Sequence, residues 1–316
     1  NYMKTLIISL EYPPQVGGIA SYIYNFMSHV SSENFVVYAP KTKGDAEFDK
    51  KNNWKVYRHK PYWLFWPKWF RMYLQIKKII KQEKIDQLFI HHALPIGYVG
   101  EMIKKTKGIP YTVFFHGSDV EFASRSGWKL SRLKKVCQNA KELVVNSNFL
   151  KEKLLEKFEN LSTPINILYP CPADVFLNKA STDEMQKLKT ELALNGKKVM
   201  LTVARMVDGK GYPHIAGILP DLVKEVPNLA WLIIGDGPKK QQVVEMIQKN
   251  NLHNVVRLLG VIPREELPKY YQMSDVFVLL THADESREEG WGTVFLEAAA
   301  SGLPSVAGRV GGVEEA

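Results

Sequence analysis

Short apolar runs alternate with amphipathic helical patterns along the whole chain, and this alternation limits the fold more than any other feature. The apolar runs lie near residues 4–9, 35–39, 54–58, 87–91, 110–115, 142–146, 198–204, 229–234, 255–259, 275–280 and 304–307. Helical patterns lie between them, at about 18–30, 70–83, 96–106, 128–138, 148–158, 213–226, 238–249, 265–273 and 293–301. Strands that alternate with helices form parallel sheets covered by helices. The sequence therefore predicts an α/β protein with two doubly wound, Rossmann-like domains.

Two prolines mark the predicted boundary between these domains. The chain has 316 residues and 45% hydrophobic content, which favours two hydrophobic cores over one. The stretch Tyr169-Pro170-Cys171-Pro172 breaks regular structure. We therefore expect domains over residues 1–168 and 169–316. Ligands of open α/β sheets bind at the carboxyl ends of the strands, so the two domains are expected to face a common cleft.

The positive charge lies in the first half of the chain. Residues 1–168 hold 26 Lys and Arg against 14 Asp and Glu, a charge of +12, whereas residues 169–316 hold 16 against 19, a charge of −3. A basic half attracts an anionic partner such as a lipid surface, a phosphorylated carrier or a nucleic acid. Two cysteines, no apolar run of 18 residues and no signal peptide favour a cytoplasmic protein, peripheral on the inner face of the membrane where it meets one.

Residues 58–84 combine aromatic and basic side chains. The segment contains Trp63, Trp66 and Trp69, and eight Lys and Arg residues against one acidic residue. Basic residues with interfacial aromatics are typical of a segment that lies on an anionic membrane. A helix packed on the core, with a solvated basic face, explains the pattern equally well. An anionic membrane surface is therefore one of the expected partners. The alternative is that residues 58–84 have a purely structural role.

The turn Glu289-Gly290-Trp291-Gly292-Thr293 opens a short predicted helix. Glycine has no Cβ, so the backbone at Gly290 and Gly292 can approach a ligand closely. Thr293 is the expected N-cap of the helix. The free amides and the positive end of the helix dipole attract a diphosphate. We therefore expect residues 290–293 to bind substrate.

Glu297 lies inside this helix, so that seven residues separate it from Glu289. The pattern Glu-x7-Glu, with Gly-aromatic-Gly after the first Glu, closely resembles the signature of the retaining family 4 glycosyltransferases, which have the GT-B fold. The resemblance extends over nearly the whole chain. It implies that Glu289 is a catalytic residue that orients the sugar, while the leaving phosphate accepts the proton of the acceptor. It also implies that Glu297 accepts hydrogen bonds from the ribose hydroxyls.

The same resemblance implies the substrates. They are a nucleoside diphosphate sugar donor and a lipid-linked or saccharide acceptor, used in the synthesis of a cell-surface glycolipid or polysaccharide. The run from Glu289 to Glu297 and the Gly-Gly-Ile loop look most like the mannosyltransferase branch, which favours GDP-mannose. No cofactor is expected. The sequence has no D-x-D motif and no His/Cys cluster with metal spacing, so we expect a cationic clamp in place of a catalytic metal.

The loop from Val203 to Gly211 carries that clamp. Arg205 and Lys210 flank a glycine turn directly after an apolar run. The planar fork of Arg205 and the point charge of Lys210 can bind the same diphosphate and stabilise it as it departs. Solvated cations at a helix start are the structural alternative.

Three further positions complete the predicted site. Gly17 and Gly18 follow the first apolar run, and their amides can contact a phosphate or sugar. His116 follows the run 110–115, and the resemblance places it beside the reacting sugar carbon, where its near-neutral pKa permits acid–base work. The backbone of Val261 is expected to read the edge of the base, whereas Asp236 is expected to be structural.

His91 and His92 lie at the end of another apolar run. We interpret them as a structural pair, with binding of the acceptor as the alternative. Two other functions are compatible with parts of the sequence. One is a GT-B nucleotide-sugar epimerase, for which a further acid–base set is missing. The other is a basic nucleic-acid-binding protein, for which no motif is present, so no nucleic-acid partner is expected. Because the resembled family continues beyond Ala316, the second domain is expected to be truncated.

Overall fold

The computed structural model describes residues 3–15, 17–62, 66–282 and 291–316. The chain divides into two compact units, Asn1–Pro170 and Cys171–Ala316. This division falls two residues after the boundary expected from the prolines. Each unit is a parallel sheet covered by helices, and the predicted α/β, doubly wound architecture is confirmed.

The first unit contains strands β1 to β7 and helices α1 to α7. The strands are β1 (Thr5–Ile8), β2 (Phe35–Pro40), β3 (Val56–His59), β4 (Gln87–His91), β5 (Tyr111–Phe115), β6 (Glu142–Val145) and β7 (Ile165–Ile167). The helices are α1 (Gly18–Ser28), α2 (Asp45–Asn52), α3 (Phe70–Glu83), α4 (Ala93–Lys107), α5 (Ser118–Ser124), α6 (Gly127–Asn139) and α7 (Asn148–Lys157). The strands pair in parallel in the order β3-β2-β1-β4-β5-β6-β7.

This strand order reverses direction between β1 and β4. The chain winds outward from β1 through β2 to β3, then returns to β4 beside β1 and winds the other way. Such a switch point leaves a crevice at the carboxyl ends of its two strands, where ligands of open α/β sheets bind. Helices α3, α4 and α6 cover one face of the sheet through apolar side chains that include Ile76, Val99 and Val136. Helix α1 contributes Ile23 and Met27 to a separate cluster with Ile7.

The second unit repeats the architecture with fewer strands. They are β8 (Lys198–Val203), β9 (Leu229–Ile234), β10 (Val256–Gly260), β11 (Val276–Leu279) and β12 (Ser305–Ala307), in the parallel order β10-β9-β8-β11-β12. The helices are α8 (Thr182–Glu191), α9 (Tyr212–Glu225), α10 (Lys240–Lys249), α11 (Leu267–Gln272) and α12 (Thr293–Ala300). The switch point of this sheet lies between β8 and β11.

Every strand expected from the apolar runs is present. The structure also contains one strand and three helices that were not predicted, namely β7, α2, α5 and α8, and their sequence patterns are weak. Strand β7 has only three residues, none of them fully buried. Helix α2 is mostly polar and buries no residue fully, although Phe48 packs against the core, and α8 buries only Leu188. Neither helix therefore carries the apolar stripe that reveals an amphipathic helix. The short helix α5 was also missed, since it has less than two full turns.

One predicted helix cap is wrong. Thr293 is the first helical residue of α12, and the N-cap is Gly292, in the left-handed conformation with φ 86°. A left-handed backbone favours glycine over threonine, which explains the shift by one residue. No helix in the described ranges is both long and apolar enough to span a membrane.

Candidate functional site

Polar side chains gather at the switch point of the first unit. His91 is the last residue of β4, and His116 follows the neighbouring strand β5 directly. The loop after β1 supplies Glu11, whose carboxylate lies 3.7 Å from Nε2 of His92. Because β1, β4 and β5 are adjacent and parallel, their carboxyl ends bring these residues to one edge of the sheet.

The carboxylate of Asp119 fixes the loop that carries His116. The backbone N–H of His116 donates to Oδ2 of Asp119 over 3.0 Å, and the backbone N–H of Ala93 donates to Oδ1 over 2.8 Å. One side chain at the start of α5 therefore ties the end of β5 to the start of α4. Charge-assisted bonds of this kind are short and strong, so Asp119 holds the backbone of His116 close to the start of α4.

The ring of His116 is hydrogen-bonded to a second histidine. Nδ1 of His91 lies 2.9 Å from Nε2 of His116, and the two rings are nearly parallel, with centroids 5.2 Å apart. The ring of Tyr22 on α1 meets His116 edge-on at 5.1 Å, and Phe114 stacks on His91 at 4.5 Å. The imidazole of His116 thus contacts the rings of His91 and Tyr22, and Phe114 packs on the far side of His91.

This environment keeps the histidine pair neutral. Burial lowers the pKa of His116 to about 4, although the carboxylate of Asp119 opposes the shift. Burial, followed by the neighbouring His116 and His92, holds the pKa of His91 well below its ordinary value. The expectation of a near-neutral pKa at His116 is therefore wrong. At pH 7 the ring is uncharged and serves as a hydrogen-bonding group.

The pKa of His92 is shifted in the opposite direction. Burial alone would lower its pKa, but the hydrogen bond to Glu11 and the charges of Asp119 and Glu11 outweigh burial and raise the pKa. Its backbone has φ 85°, an unusual value for a residue with a side chain. Sequence reasoning treated His91 and His92 as a structural pair and missed Glu11 and Asp119. The available signal was their position at the carboxyl ends of β1, β4 and β5.

Gly17 and Gly18 stand at the start of α1, as expected. Gly17 is the N-cap of the helix, and no side chain caps the amides there. A Cβ at Gly17 would lie 3.1 Å from Oε2 of Glu11, whereas one at Gly18 would meet nothing within 4 Å. Packing therefore restricts Gly17 more than Gly18, and a ligand role for their amides stays a prediction.

In the second unit, the loop from Ala204 to Gly211 is fixed by close backbone contacts. A Cβ at Gly235 would lie 2.0 Å from the carbonyl oxygen of Ala204, and one at Gly237 would lie 2.4 Å from that of Met206. The hydroxyl of Tyr212 donates to the carbonyl of Ala204 over 2.9 Å. The turn after β9 is thus pressed against the loop after β8. Asp236, within that turn, accepts from Lys240, which agrees with a structural role.

The two expected clamp cations project from this fixed loop. Arg205 is exposed and Lys210 is half-buried. The intervening Asp208 pairs with Lys239 on the far side over 3.1 Å. The loop also reaches the segment after β11, since His282 donates its backbone N–H to the carbonyl of Gly209 over 3.0 Å. The clamp loop therefore lies at the switch point between β8 and β11.

Helix α12 carries the second half of the Glu-x7-Glu pattern. Glu289 and Gly290 lie outside the described residues, so their roles stay predictions. Trp291 is buried, with 5% of its surface exposed, and Gly292 and Thr293 begin the helix. Val261, just after β10, is 65% exposed, and its contact with the base stays a prediction.

Glu297 is a buried carboxylate with two partners. The hydroxyl of Tyr271 donates to Oε2 over 3.0 Å, and the guanidinium of Arg264 lies 3.5 Å from Oε1. Burial raises the pKa of Glu297, while Arg264 opposes the shift. Each carboxylate oxygen can accept more than one hydrogen bond, so these partners orient Glu297 and leave acceptor sites for a ligand. Sequence reasoning did not find Tyr271 or Arg264.

Metal ligands were not expected, and the described ranges contain no group of three or more His, Cys, Asp and Glu arranged to hold a metal ion.

Comparisons with known proteins follow the division into two units. The model of Glycosyltransferase Family 4 matches residues 16–171, and that of Glycosyl transferases group 1 matches residues 184–316. The chain is 28% identical to the GDP-mannose-dependent alpha-(1-6)-phosphatidylinositol monomannoside mannosyltransferase of Mycolicibacterium smegmatis, over 98% of this chain and 81% of that protein. It is 23% identical to the alpha-monoglucosyldiacylglycerol synthase of Acholeplasma laidlawii, over 96% and 80%.

A solved structure confirms the fold. Anabaena HepE, in complex with UDP and glucose, superposes with a TM-score of 0.81 at 17% identity, over 99% of this chain and 82% of that one. At this identity the likeness speaks for the GT-B fold alone. The two family models leave only residues 1–15 and 172–183 unmatched. The chain is therefore a GT-B glycosyltransferase, built from a family 4 domain followed by a group 1 domain.

Proposed function

We propose that this glycosyltransferase moves a hexose from a nucleoside diphosphate sugar to a lipid-linked or saccharide acceptor, with retention of anomeric configuration, in cell-surface glycan synthesis. One observation carries the proposal. The loop with Arg205 and Lys210 is hydrogen-bonded to His282, just after β11, and the next helix of the chain, α12, begins with no side-chain cap on its amides. Two cations and a helix dipole thus border one switch point, as a diphosphate requires.

The donor we propose is GDP-mannose. The relatives in Mycolicibacterium smegmatis and Corynebacterium glutamicum are named as GDP-mannose-dependent mannosyltransferases. The names of these two relatives and of the Acholeplasma protein also refer to lipid acceptors, which supports a lipid-linked acceptor here. We assign the nucleotide to the second unit, and contacts to the sugar or acceptor to His116 and the amides at Gly17 and Gly18.

A thermal-shift panel of GDP-mannose, GDP-glucose, UDP-glucose and UDP-N-acetylglucosamine tests the donor. A ligand at 100 times its Kd stabilises the folded state by about 2.7 kcal/mol. We expect GDP-mannose to raise Tm most. A larger shift with a UDP sugar would contradict GDP-mannose as the donor but would still agree with a glycosyltransferase. No shift with any of the four sugars would contradict nucleotide-sugar binding.

The two glutamates of the Glu-x7-Glu pattern should differ in their kinetic effects. Glu297→Gln removes the charge that accepts ribose hydroxyl bonds, so we expect nucleotide affinity to fall by about 10-fold, the equivalent of one charge-assisted hydrogen bond. Glu289→Gln should chiefly lower turnover, because it misplaces the sugar. Calorimetry with GDP and steady-state kinetics measure the two quantities. Equal losses of GDP affinity in both variants would contradict this division of roles.

We propose that the first unit docks on an anionic membrane. Trp66 is 88% exposed, whereas Trp69 is partly buried against the core; Trp63 lies outside the described residues. The ring of Trp69 lies 5.7 Å from Tyr98, which lies 6.3 Å from Trp128, itself 63% exposed. These four described aromatics, with Lys68, Lys129 and Arg132, are called the aromatic–basic surface below.

The charge of this surface fits an anionic bilayer better than a purely structural role. Arg132 lies over the ring of Tyr98 at 5.3 Å, and Lys129 lies over Phe122, an exposed neighbour, at 4.0 Å. Cations held beside exposed aromatic rings match the interface of a membrane, where rings sit at the headgroups and cations meet phosphates. Each Lys or Arg near an anionic leaflet contributes about 1 kcal/mol.

Removing both exposed tryptophans, in Trp66→Ser/Trp128→Ser, should lower co-sedimentation with phosphatidylglycerol vesicles by about 10-fold, since each aromatic adds apolar burial at the interface. Raising the salt should weaken binding of the unmodified protein as well. Leu177→Ser, which changes an equally exposed residue of the second unit, is the control. Unchanged pelleting of the double variant would show that the surface does not bind membranes.

A further inference from the structure

The hydrogen bond between His91 and His116 restricts the protons of both rings. An imidazole pair joined through one nitrogen of each ring needs an N–H on one side and a lone pair on the other. The 2.9 Å contact between Nδ1 of His91 and Nε2 of His116 therefore couples the two tautomers. Whichever ring carries the shared proton, the state of Nδ1 on His116 follows from it.

The opposite nitrogen of His116 is the one left for a ligand. Nε2 is engaged by His91, and within the described part of the chain Nδ1 of His116 has no hydrogen-bond partner. Asp119 holds only the backbone of His116, so it does not orient the ring. Ring orientation is set by His91 together with the edge of Tyr22.

Resting on the proposed function, we propose that His91 is a positioning residue: its Nδ1–H donates to Nε2 of His116, so that the neutral ring of His116 carries its proton on Nδ1 and presents this N–H to a hydroxyl oxygen of the sugar or acceptor. His91 itself is 2% exposed, so it acts through His116 and does not touch the substrate. The packing supports this, because Phe114 stacks on His91 and Tyr22 contacts both rings of the pair.

The charged groups around the pair keep it in this state. Glu11 and Asp119 face it from the loop after β1 and from α5, and His92, whose pKa is raised, faces it from the start of α4. The two carboxylates favour a proton on His116, whereas His92 and burial disfavour it, and the second influence prevails. Protonation of both rings would place two N–H groups against each other across the shared contact, which breaks the hydrogen bond.

Two substitutions separate positioning from packing. His91→Phe keeps an aromatic ring beside Phe114 and removes the nitrogen that contacts His116. His91→Asn places an amide atom near the position of Nδ1 and restores a hydrogen-bonding group. We expect His91→Phe to lower kcat about 10-fold to 100-fold, the usual loss when a group that fixes the tautomer of a functional histidine is removed, with less than about 3-fold change in the donor KM. His91→Asn should recover most of kcat.

Nitrogen-15 NMR of histidine-labelled protein provides a readout that needs no substrate. The two ring nitrogens of His116 should report one neutral tautomer from pH 6 to 8 in the unmodified protein, and a mixture in His91→Phe. The control His59→Phe changes a partly buried histidine stacked on Tyr38 at the end of β3 and should leave the His116 signals and kcat unchanged.

Three results would overturn the proposal. They are a mixture of His116 tautomers in the unmodified protein, unchanged His116 signals in His91→Phe, and equal losses of kcat and Tm in both His91 variants. If His91→Phe does not fold, the His116 signals of the unmodified protein and of His91→Asn still show whether His116 holds one tautomer. A protein without transferase activity would contradict the proposed function, while the tautomer measurement would still test the coupling of the two histidines.

Discussion

Lys210→Ala will lower the rate of sugar transfer by about 100-fold to 1,000-fold, the effect of removing one preorganised group that stabilises developing charge. Negative charge accumulates on the diphosphate as the sugar departs, and the clamp loop offers Lys210 and Arg205 to that group. Because the loop is fixed by Gly235 and Tyr212, a neighbouring side chain has little freedom to replace the lost charge.

Steady-state kinetics and calorimetry with GDP measure this effect. The affinity for GDP should fall by about 10-fold, which is less than the fall in turnover. The reason is that the attraction between Lys210 and the diphosphate becomes stronger as negative charge develops in the transition state. Lys240→Ala is the matched control, because Lys240 is an exposed lysine of the same unit paired only with Asp236. Turnover of Lys210→Ala within 3-fold of the unmodified protein would remove this lysine from the clamp.

Gly211→Ala will destabilise the second unit by about 3–5 kcal/mol, because a left-handed backbone costs a residue with a Cβ about 1–3 kcal/mol and the steric clash adds about 1–3 kcal/mol. Gly211 has φ 73°, where a Cβ is disfavoured. A Cβ there would lie 2.1 Å from the carbonyl oxygen of Leu280, which is backbone and cannot rotate away. Relief requires a shift of the clamp loop or of the segment after β11, so the diphosphate site should be lost together with stability.

Urea unfolding followed by circular dichroism measures the free energy of unfolding. Gly217→Ala is the control on the same helix, α9: Gly217 is exposed, and a Cβ there would meet nothing within 4 Å. That variant should gain about 0.5–1 kcal/mol, since alanine has the higher helix propensity. Similar stability in Gly211→Ala and Gly217→Ala would show that the loop moves freely and is not held by Leu280.

The segments found from the sequence are those whose pattern is local. Buried parallel strands read as apolar runs because both of their faces are covered, so β1 and β9 were located without any knowledge of their neighbours. Helix α3 carries its apolar stripe at helical spacing and was predicted over the residues that it occupies. The polar helix α2 and the three-residue strand β7 have no such pattern, because packing by the rest of the fold stabilises them.

Part of the candidate site was also readable from the sequence. The glycine turn before α12 and the cations Arg205 and Lys210 follow apolar runs, and strand ends are where α/β proteins bind ligands. Their residue types indicate anion binding by themselves. The family signature added roles to Glu289 and Glu297, but not the partners of these residues.

The sequence alone determined the α/β class and the two-unit organisation, because hydrophobic period is a property of neighbouring residues, and the nucleotide-sugar chemistry followed from the family resemblance of its motifs. Only the tertiary structure decided which distant side chains meet. His91 and His116 are separated by 25 positions, and they pair because β4 and β5 are adjacent in the sheet. Glu297 likewise meets Tyr271, 26 positions away, inside a core. Strand order and burial determine such contacts and the pKa shifts that result from them. Neither strand order nor burial can be read from the spacing of neighbouring residues in the sequence.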